Sequence, residues 1–300
     1  MGADQTPGTR LRRAVEEERP LQVVGAINAY CALLAERAGF RALYLSGAGV
    51  ANASFGLPDL AMTTLTEVCE DVRRVSARST LPLLVDADTG WGHALSIRRS
   101  VRELIRAGAA GCHLEDQVNA KRCGHRPGKE LVPVEEMVDR LRAATDGRDD
   151  PSFVLMARTD AYAEEGVGGL VERAQAYVEA GADMIFAEAL ETLSDYGELT
   201  RAVSVPVLAN ITEFGRTPIF SVEDLGEVGV RLVLYPLSAF RAMSRAAETA
   251  YEAIRRDGSQ QAMIDAMQTR DELYEVLGYE ALERRIDALF DADIQRGESS

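Results

Sequence analysis

The chain has 300 residues, of which 46% are hydrophobic, and a formal net charge of −15 at pH 7. So acidic a chain is a poor partner for nucleic acid or an anionic membrane surface, no apolar run is long enough to span a bilayer, and the first residues lack the apolar segment of a signal peptide. The four cysteines, at positions 31, 69, 112 and 123, follow neither a disulfide nor a metal-ligand spacing, so we expect a cytoplasmic protein in a reducing compartment.

Short apolar runs alternate with longer helical patterns along the chain. The strand candidates are almost continuously apolar, which is typical of parallel strands covered on both faces; in chain order they are Leu21–Asn28, Ala42–Ser46, Leu81–Asp86, Gly111–Glu115, Phe153–Arg158, Met184–Glu188, Val205–Asn210 and Arg231–Tyr235. Helices are predicted between them, among others at Thr64–Ala77, Ala94–Ala107, Val134–Ala144, Val167–Ala180 and Ser221–Glu227. Ala-Gly pairs ending at Gly39, Gly108 and Gly181 are typical of helix C-caps.

Eight strands with intervening helices predict a TIM-type (β/α)₈ barrel. A doubly wound open sheet is the alternative, but no Gly-x-Gly-x-x-Gly turn follows the first strand. We expect one barrel domain over residues 1–300, with a C-terminal helical extension over about residues 242–295. That extension is expected either to pack on a neighbouring subunit or close over the site, or to remain an appended helical pair on its own subunit.

Polar side chains stand at the ends of seven of the eight strand candidates. They are Ser46, Asp86 with Asp88, Glu115, Arg158, Glu188, Asn210 and Tyr235. Because a barrel carries its active site at the C-terminal ends of its strands, these side chains are predicted to meet at one mouth.

Asp86 and Asp88 are two residues apart at a strand end and therefore point into the same mouth. With Glu115 nearby, they suit Mg²⁺, or alternatively Mn²⁺, held by few protein ligands together with water and substrate oxygens. In the alternative interpretation, Asp88 caps the following helix.

Three further strand-end features have both a functional and a structural interpretation. The Ser46–Gly49 segment offers free backbone N–H groups to a carboxylate or phosphate. His113 shares a face with Glu115 and is either functional or a core residue. Arg158 is predicted to clamp a carboxylate, with a surface salt bridge as the alternative.

The chain has 33 basic residues but only two lysines, Lys121 and Lys129, in one ten-residue stretch that also holds Cys123 and His125. Positive charge around a thiol favours its thiolate, and perturbed groups of this kind cluster at functional sites. The alternative is a solvated basic loop with an incidental cysteine. We expect functional residues in this stretch.

The segment Lys121-Arg122-Cys123-Gly124-His125 resembles the lyase signature of the isocitrate lyase/phosphoenolpyruvate mutase superfamily. The resemblance covers most of the chain, including Val23–Ala26, Ser46–Gly47, Asp86–Asp88, Ala157–Asp160, Asn210–Gly215, Leu234–Ala242 and Met267–Arg270. It implies a (β/α)₈ barrel whose C-terminal helix swaps between paired subunits, usually in a homotetramer.

The resemblance also implies a set of site residues. Mg²⁺ is expected on Asp86 and Asp88, with Asp59 and Glu115 in the surrounding water shell. The implied substrate contacts are Ser46, Gly47, Ala48, Cys123, Gly124, Arg158, Glu188, Asn210, Ile211, Thr212, Arg241 and Arg270.

The reaction implied by the resemblance is retro-aldol cleavage of a 2-hydroxy tricarboxylate. Length and motif spacing are most similar to the short bacterial members that cleave 2-methylisocitrate to pyruvate and succinate, in the methylcitrate cycle of propionate catabolism. We expect Tyr44 to remove the hydroxyl proton and Cys123 to protonate the succinate carbanion as general acid. Lys121, His125 and Glu188 would set the proton affinity and position of that thiol. Arg158, Asn210, Thr212 and the Gly124 amide are expected to stabilise the developing charge.

Other functions remain open at this point. Isocitrate or 2,3-dimethylmalate could replace the substrate on the same fold, Lys121 could form a Schiff base in an aldolase, and a non-catalytic barrel could simply bind a ligand. Phe186 and Leu234, near two strand ends, are expected to line a pocket for the extra methyl group of 2-methylisocitrate, with a plain core role as the alternative.

Overall fold

The computed structural model describes residues 5–119, 121–122, 124–125 and 128–297, with side chains as far as residue 290. The strands are β1 Leu21–Gly25, β2 Ala42–Leu45, β3 Leu83–Asp86, β4 Gly111–Glu115, β5 Val154–Thr159, β6 Met184–Ala187, β7 Val207–Asn210 and β8 Leu232–Tyr235. The α-helices are α1 Pro7–Glu17, α2 Ala29–Arg37, α3 Gly47–Gly49, α4 Leu65–Ser76, α5 Ala94–Ala107, α6 Val134–Gly147, α7 Tyr162–Glu179, α8 Leu193–Ala202, α9 Val222–Glu227, α10 Ser238–Asp257, α11 Arg270–Leu277 and α12 Tyr279–Gly297. A π-helix occupies Val50–Ser54 and a 3₁₀-helix Gln261–Ala266.

The eight strands form a closed parallel barrel in chain order, and β8 returns to pair with β1. Leu21 lies opposite Leu232, and Val24 lies opposite Tyr235, across the closing seam. The predicted (β/α)₈ barrel is therefore confirmed and the open doubly wound sheet is wrong. Parallel closure brings all eight C-terminal strand ends to one rim, as the strand-end argument requires.

The closing seam is tightest at Gly25, the last residue of β1. A Cβ atom built there would lie 1.7 Å from the carbonyl oxygen of Pro236, just beyond β8. Only glycine leaves room for this approach of two backbones. A side chain at position 25 would force the first and last strands apart at the rim that carries the site.

The hydrophobic core has two layers. One fills the barrel and includes Leu84, Met156 and Leu208; the other lies between the strands and the surrounding helices. Helix α1 adds Leu11 and Val15 to the inner layer, and both are fully buried or nearly so. The helix therefore closes the end of the barrel away from the C-terminal rim. It was not predicted from the sequence, because it precedes the first strand and so lies outside the strand–helix alternation.

Most predicted boundaries agree with the structure within a few residues, and the differences have local causes. The first strand stops at Gly25 rather than Asn28, because Asn28 caps α2 and its Oδ1 accepts the N–H of Cys31 at 2.9 Å. Helix α7 begins at Tyr162 rather than Val167 because it continues through a break at Gly166, where φ is 68°. The predicted Ala-Gly C-caps are confirmed by left-handed backbone at residues 39, 108 and 181.

The chain divides into two compact units, Met1–Arg241 and Ala242–Ser300. The first contains the barrel. In the second, Thr269 and Glu272 form a capping box at the start of α11, and the rings of Tyr274 and Tyr279 stack with centroids 4.3 Å apart. The single domain with a helical extension stays a prediction. No helix among the described residues is both long and apolar enough to cross a bilayer.

Candidate active site

The C-terminal rim of the barrel surrounds a cavity of about 230 Å³. Side chains from six of the eight strands, all but β1 and β4, form its wall together with residues of several loops, including the loop after β4. The lining residues are Tyr44, Ser46, Ala48, Asp59, Asp86, Lys121, Gly124, His125, Arg158, Phe186, Glu188, Asn210, Thr212, Glu213, Phe214, Gly215, Leu234, Pro236, Leu237 and Arg241.

Asp86 ends β3 and Asp88 follows it, and both are buried. One Asp86 oxygen accepts the N–H of Asp88 at 3.0 Å, and the other accepts the N–H of Gly47 at 3.1 Å. The prediction of a free N–H at Gly47 is therefore wrong: this donor is used inside the protein to orient Asp86. Asp88 has φ 46° and does not cap α5, whose cap is His93, so the capping alternative is also wrong.

The two carboxylates differ in electrostatic environment. Burial by itself would raise the pKa of Asp86, but the charges of His113, Lys121 and Arg158 outweigh burial and the net direction is down. Burial and the neighbouring Asp86 together raise the pKa of Asp88 to about 6, although Lys121 opposes them. Two acidic groups this close favour a positive charge between or beside them.

Lys121 supplies such a charge. Its Nζ lies 2.7 Å from Oδ1 of Asp88 and 2.7 Å from Oδ1 of Asp59, and the side chain is buried. Burial would lower the pKa of Lys121, but Asp88, Glu115 and the other nearby carboxylates outweigh it and raise the pKa. The amine is therefore held as an ammonium. A Schiff-base mechanism needs a neutral amine, so this environment opposes the aldolase alternative.

Glu115 ends β4, is fully buried, and neither of its carboxylate oxygens has a hydrogen-bond partner. Arg158 Nε approaches one of them to 3.4 Å. Burial raises the pKa of Glu115 well above its usual range, although the charges of Arg158 and Lys121 act to lower it. Buried carboxylate oxygens without partners indicate a place where a further ligand or ordered water completes the coordination.

The donor set at this end of the barrel fits a hard divalent cation. Asp86 and Asp88 offer oxygen ligands, and Glu115 offers unpartnered oxygens close by. Among the described residues no three His, Cys, Asp or Glu side chains form a complete metal cluster. A cation held by two carboxylates takes its remaining ligands from water and substrate, and this coordination is typical of Mg²⁺.

Tyr44 and His113 form a buried pair behind Asp86. The Tyr44 hydroxyl lies 2.8 Å from Nε2 of His113 and 3.4 Å from Oδ2 of Asp86. The rings of His113 and Phe186 pack in a T-shaped arrangement, with their centroids 5.0 Å apart. Burial lowers the pKa of His113 to about 4 although Asp86 opposes it, and burial with Asp86 raises the pKa of Tyr44. Tyr44 therefore lies beside Asp86 at the cavity, and its role in removing the hydroxyl proton stays a prediction.

Arg158, on β5, is the central cation of the wall, and it is only 8% exposed. Its Nε lies 2.9 Å from Oδ2 of Asp160, and its Nη2 lies 3.5 Å from Oε2 of Glu188. Its guanidinium carbon stands 5.2 Å from the centre of the Phe186 ring. The surface salt bridge suggested as an alternative is wrong. The guanidinium is fixed from behind by acids, with the cavity in front of it.

His125 links three loops at the rim. Its Nε2 lies 2.7 Å from Oε1 of Glu188, after β6. Its Nδ1 accepts the backbone N–H of Arg216, in the loop after β7, at 3.0 Å. Asn210 Nδ2 lies 3.3 Å from the same Glu188 oxygen. A ring nitrogen that accepts a backbone N–H leaves the proton on the other nitrogen, so His125 donates from Nε2 to Glu188.

The structure brings most of the predicted site residues together. The predicted residues that line the cavity are Tyr44, Ser46, Ala48, Asp59, Asp86, Lys121, Gly124, His125, Arg158, Glu188, Asn210, Thr212 and Arg241. Gly47, Asp88, Glu115 and Ile211 are buried beside the lining without belonging to it. Cys123 lies outside the described residues. Arg270 begins α11 in the second compact unit, and its contact with the substrate stays a prediction.

Several residues at the rim were not predicted. Glu213, Phe214 and Gly215 line the cavity, and Glu213 Oε2 lies 3.5 Å from Arg241 Nε. Buried Asp160 supports Arg158 from behind. Asp160 follows a predicted strand by two residues, and that spacing was a usable signal. Phe214 lies in the Asn210–Gly215 segment that carries the family resemblance, but no chemical property of the residue singled it out as part of the cavity.

A closed (β/α)₈ barrel with paired acids, buried cations and a polar cavity at its C-terminal rim defines the chain as a barrel enzyme. The phosphoenolpyruvate phosphomutase family matches residues 11–255, and the chain belongs to this family. It is 57% identical over 286 residues to the 2-methylisocitrate lyase of Escherichia coli (strain K12), covering 95% of this chain and 97% of that one.

Two solved structures share the whole fold. A crystal structure of 2,3-dimethylmalate lyase, a member of the PEP mutase/isocitrate lyase superfamily, superposes with a TM-score of 0.87 at 34% identity and covers 95% of each chain. A phosphonopyruvate hydrolase complex with oxalate and Mg²⁺ superposes with a TM-score of 0.83 at 31% identity and covers 95% of this chain and 99% of that one. The superfamily resemblance drawn from the sequence is confirmed.

Proposed function

We propose that this chain is a Mg²⁺-dependent carbon–carbon lyase that cleaves 2-methylisocitrate to pyruvate and succinate, in the methylcitrate cycle of propionate catabolism. The observation that carries the proposal is the 57% identity, over nearly the full length of both chains, to a relative with that name. The rim supports it with two acids for a cation, buried positive charge for carboxylates and an apolar side formed in part by Phe186 and Leu234.

The proposed substrate carries three carboxylates, and the chain itself has a net charge of −15. The site must therefore supply local positive charge. The cavity compensates with Lys121, Arg158 and Arg241 in its wall. Arg158 presents a rigid fork of donors that suits a carboxylate, and the acids behind it keep it in place. Ser46 and Asn210 add neutral polar contacts at other points of the wall.

Asp86 and Asp88 are the residues that would hold Mg²⁺, with Mn²⁺ as a substitute, and Glu115 and Asp59 would surround them. The unpartnered oxygens of Glu115 support this assignment, as does the relative whose structure contains Mg²⁺ and oxalate. When bound, the cation supplies Lewis-acid polarisation of the substrate's hydroxyl and adjacent carboxylate.

Cleavage balances as a retro-aldol reaction. The hydroxyl of 2-methylisocitrate passes its proton to the Tyr44 oxygen while the phenol proton moves to Nε2 of His113, 2.8 Å away. The carbon–carbon bond breaks as the carbonyl of pyruvate forms, and the electron pair passes to the succinate half. That half then takes a proton, for which we propose Cys123 as general acid. Arg158, Asn210, Thr212 and the Gly124 amide would stabilise the carbanion. Lys121, His125 and Glu188 would position the thiol.

Tyr44 stays our proposal for the residue that removes the hydroxyl proton. Its hydroxyl lies 3.4 Å from Oδ2 of Asp86 and 2.8 Å from Nε2 of His113. Burial lowers the pKa of His113 to about 4, so the neutral ring is available to accept the phenol proton.

We further propose a cytoplasmic homotetramer in which the C-terminal helix swaps between subunits. Helix α12 carries exposed Leu282, Ile286, Leu289 and Phe290, whose spacing forms one apolar stripe. A second copy of the chain would cover such a stripe. None of the described cysteines forms a disulfide bond, which supports a reducing compartment.

The proposal is tested by a substrate panel with Mg²⁺ present. Purified protein is assayed on 2-methylisocitrate, isocitrate and 2,3-dimethylmalate, with pyruvate, succinate, glyoxylate and propionate quantified. The highest specificity constant is expected on 2-methylisocitrate, with equal amounts of pyruvate and succinate. Equal or better cleavage of isocitrate or 2,3-dimethylmalate would contradict the substrate assignment. Binding of all three compounds without turnover would contradict the proposal that the chain is a lyase.

A further inference from the structure

Lys129, the second of the two lysines in the chain, has no part in the proposed chemistry. It does not line the cavity, yet it is 7% exposed. A lysine is rarely buried unless its ammonium has partners that compensate for lost hydration. The partners of Lys129 therefore indicate what the residue does.

The ammonium of Lys129 joins two parts of the site. Its Nζ donates to the carbonyl oxygen of Gly124 at 2.8 Å and to Oδ1 of Asp160 at 3.0 Å. Gly124 belongs to the loop after β4, and Asp160 follows β5. One compact donor thus fixes the loop to the neighbouring strand end.

Asp160 is itself firmly held. Its carboxylate accepts from Arg158 Nε at 2.9 Å and from Arg158 Nη2 at 3.2 Å, and its backbone N–H donates to Oδ1 of Asp116 at 2.9 Å. Burial would raise the pKa of Asp160, but Arg158 and Lys129 outweigh burial and lower the pKa to about 2. Lys129 and Arg158 therefore share one anionic anchor.

Gly124 lies so close to the site that its position must be exact to a fraction of an ångström. A Cβ atom at Gly124 would lie 2.5 Å from Nη2 of Arg158 and 2.5 Å from Cγ of Glu188. The loop backbone therefore packs directly on the two charged side chains of the wall. The Lys129–Gly124 hydrogen bond keeps it there, since it attaches to the same residue.

We propose that Lys129 is a positioning residue that sets the distance of the Gly124–His125 backbone from Arg158 and Glu188, acting through the Gly124 carbonyl and Asp160. The inference rests on the proposed function, because it takes this cavity as the active site. Both ends of the 121–129 stretch are then fixed by ammonium groups, Lys121 on the acids of β3 and Lys129 on Asp160.

The test compares Lys129→Met with wild type. Methionine keeps an unbranched stem of similar length and removes the donor, while the next residue, exposed Glu130, offers the control Glu130→Gln, which also changes the charge by one. We expect kcat to fall about 10- to 100-fold with KM changed by less than about threefold, the usual scale for misplacing reacting groups by about an ångström. Glu130→Gln should match wild type.

A second readout does not depend on turnover. Amide hydrogen exchange should quicken in peptides covering residues 121–130 of Lys129→Met and stay unchanged in the barrel strands. If wild type shows no lyase activity, the proposed function fails while this readout still tests Lys129. An unchanged loop, or faster exchange throughout the barrel, would overturn the positioning role, as would a kcat within threefold of wild type. If Lys129→Met does not fold, Lys129→Gln replaces it under the same criteria.

Discussion

The Nζ atom of Lys121 lies 2.7 Å from Oδ1 of Asp88, so an ammonium group already contacts the acidic pair at the end of β3. Because Asp59 shares the same ammonium, one positive charge is paired with acids from two loops of the rim. This arrangement lets two buried carboxylates coexist at the rim, and Asp86 is the member of the pair that lines the cavity.

Removal of the acid at position 88 should weaken metal binding. We expect Asp88→Asn to reduce Mn²⁺ affinity at least tenfold, measured as loss of the free Mn²⁺ signal by electron paramagnetic resonance, because a carboxylate ligand is lost. Chelation by EDTA should abolish turnover and Mg²⁺ should restore it. The exposed acid Asp139 gives the control Asp139→Asn. Wild-type affinity in Asp88→Asn would rule out this metal assignment.

The apolar side of the cavity should select for a methyl group. Leu234 is fully buried and lines the cavity, so Leu234→Ala removes contact with a substrate methyl. The ratio of kcat/KM on 2-methylisocitrate to kcat/KM on isocitrate should fall by about 10-fold. One methylene in an apolar pocket changes the preference between two substrates by ~10–200-fold. Leu234→Met, of similar volume, should keep most of the preference. An unchanged ratio in Leu234→Ala would mean that Leu234 serves the core alone.

The thiols of Cys31, Cys69 and Cys112 should not react with alkylating reagents in the native state. Burial raises the pKa of Cys69 to about 11 and that of Cys112 to about 12, and it also raises the pKa of Cys31. Since the thiolate is the reactive form, an alkylating reagent at pH 8 should label Cys123 and leave these three unlabelled until the protein is denatured. Peptide mapping by mass spectrometry measures this. Rapid labelling in Cys123→Ser would contradict it.

Asp160 should contribute stability that disappears in acid. Its folded pKa of about 2 lies below the unfolded value of 3.8, so its contribution is complete above about pH 5 and is lost as the pH falls towards 2. Asp160→Asn should therefore be less stable than wild type near neutrality. The difference between the urea unfolding midpoints of the two proteins should narrow as pH falls from 5 to 3. A gap independent of pH would show that the charge of Asp160 does not matter.

The barrel and much of its site were predictable because both depend on repeated local patterns. Parallel strands must be apolar on both faces, so a polar residue such as Arg158 at a strand end signals the rim. Long-range geometry escaped prediction. That Gly47 donates its N–H to Asp86 depends on the approach of two loops, and the raised pKa of Tyr44 depends on its burial beside Asp86. Neither property is encoded in the spacing of neighbouring residues.

The burial of both lysines has a consequence for surface chemistry. Lys121 is 4% exposed and Lys129 is 7% exposed, and, histidines aside, arginine supplies every other basic side chain. Acylating reagents, glutaraldehyde and amine-reactive dyes therefore find no accessible side-chain amine on the folded chain. Labelling through amines would be confined to the terminal amino group, and lysine acetylation would require the site itself to open.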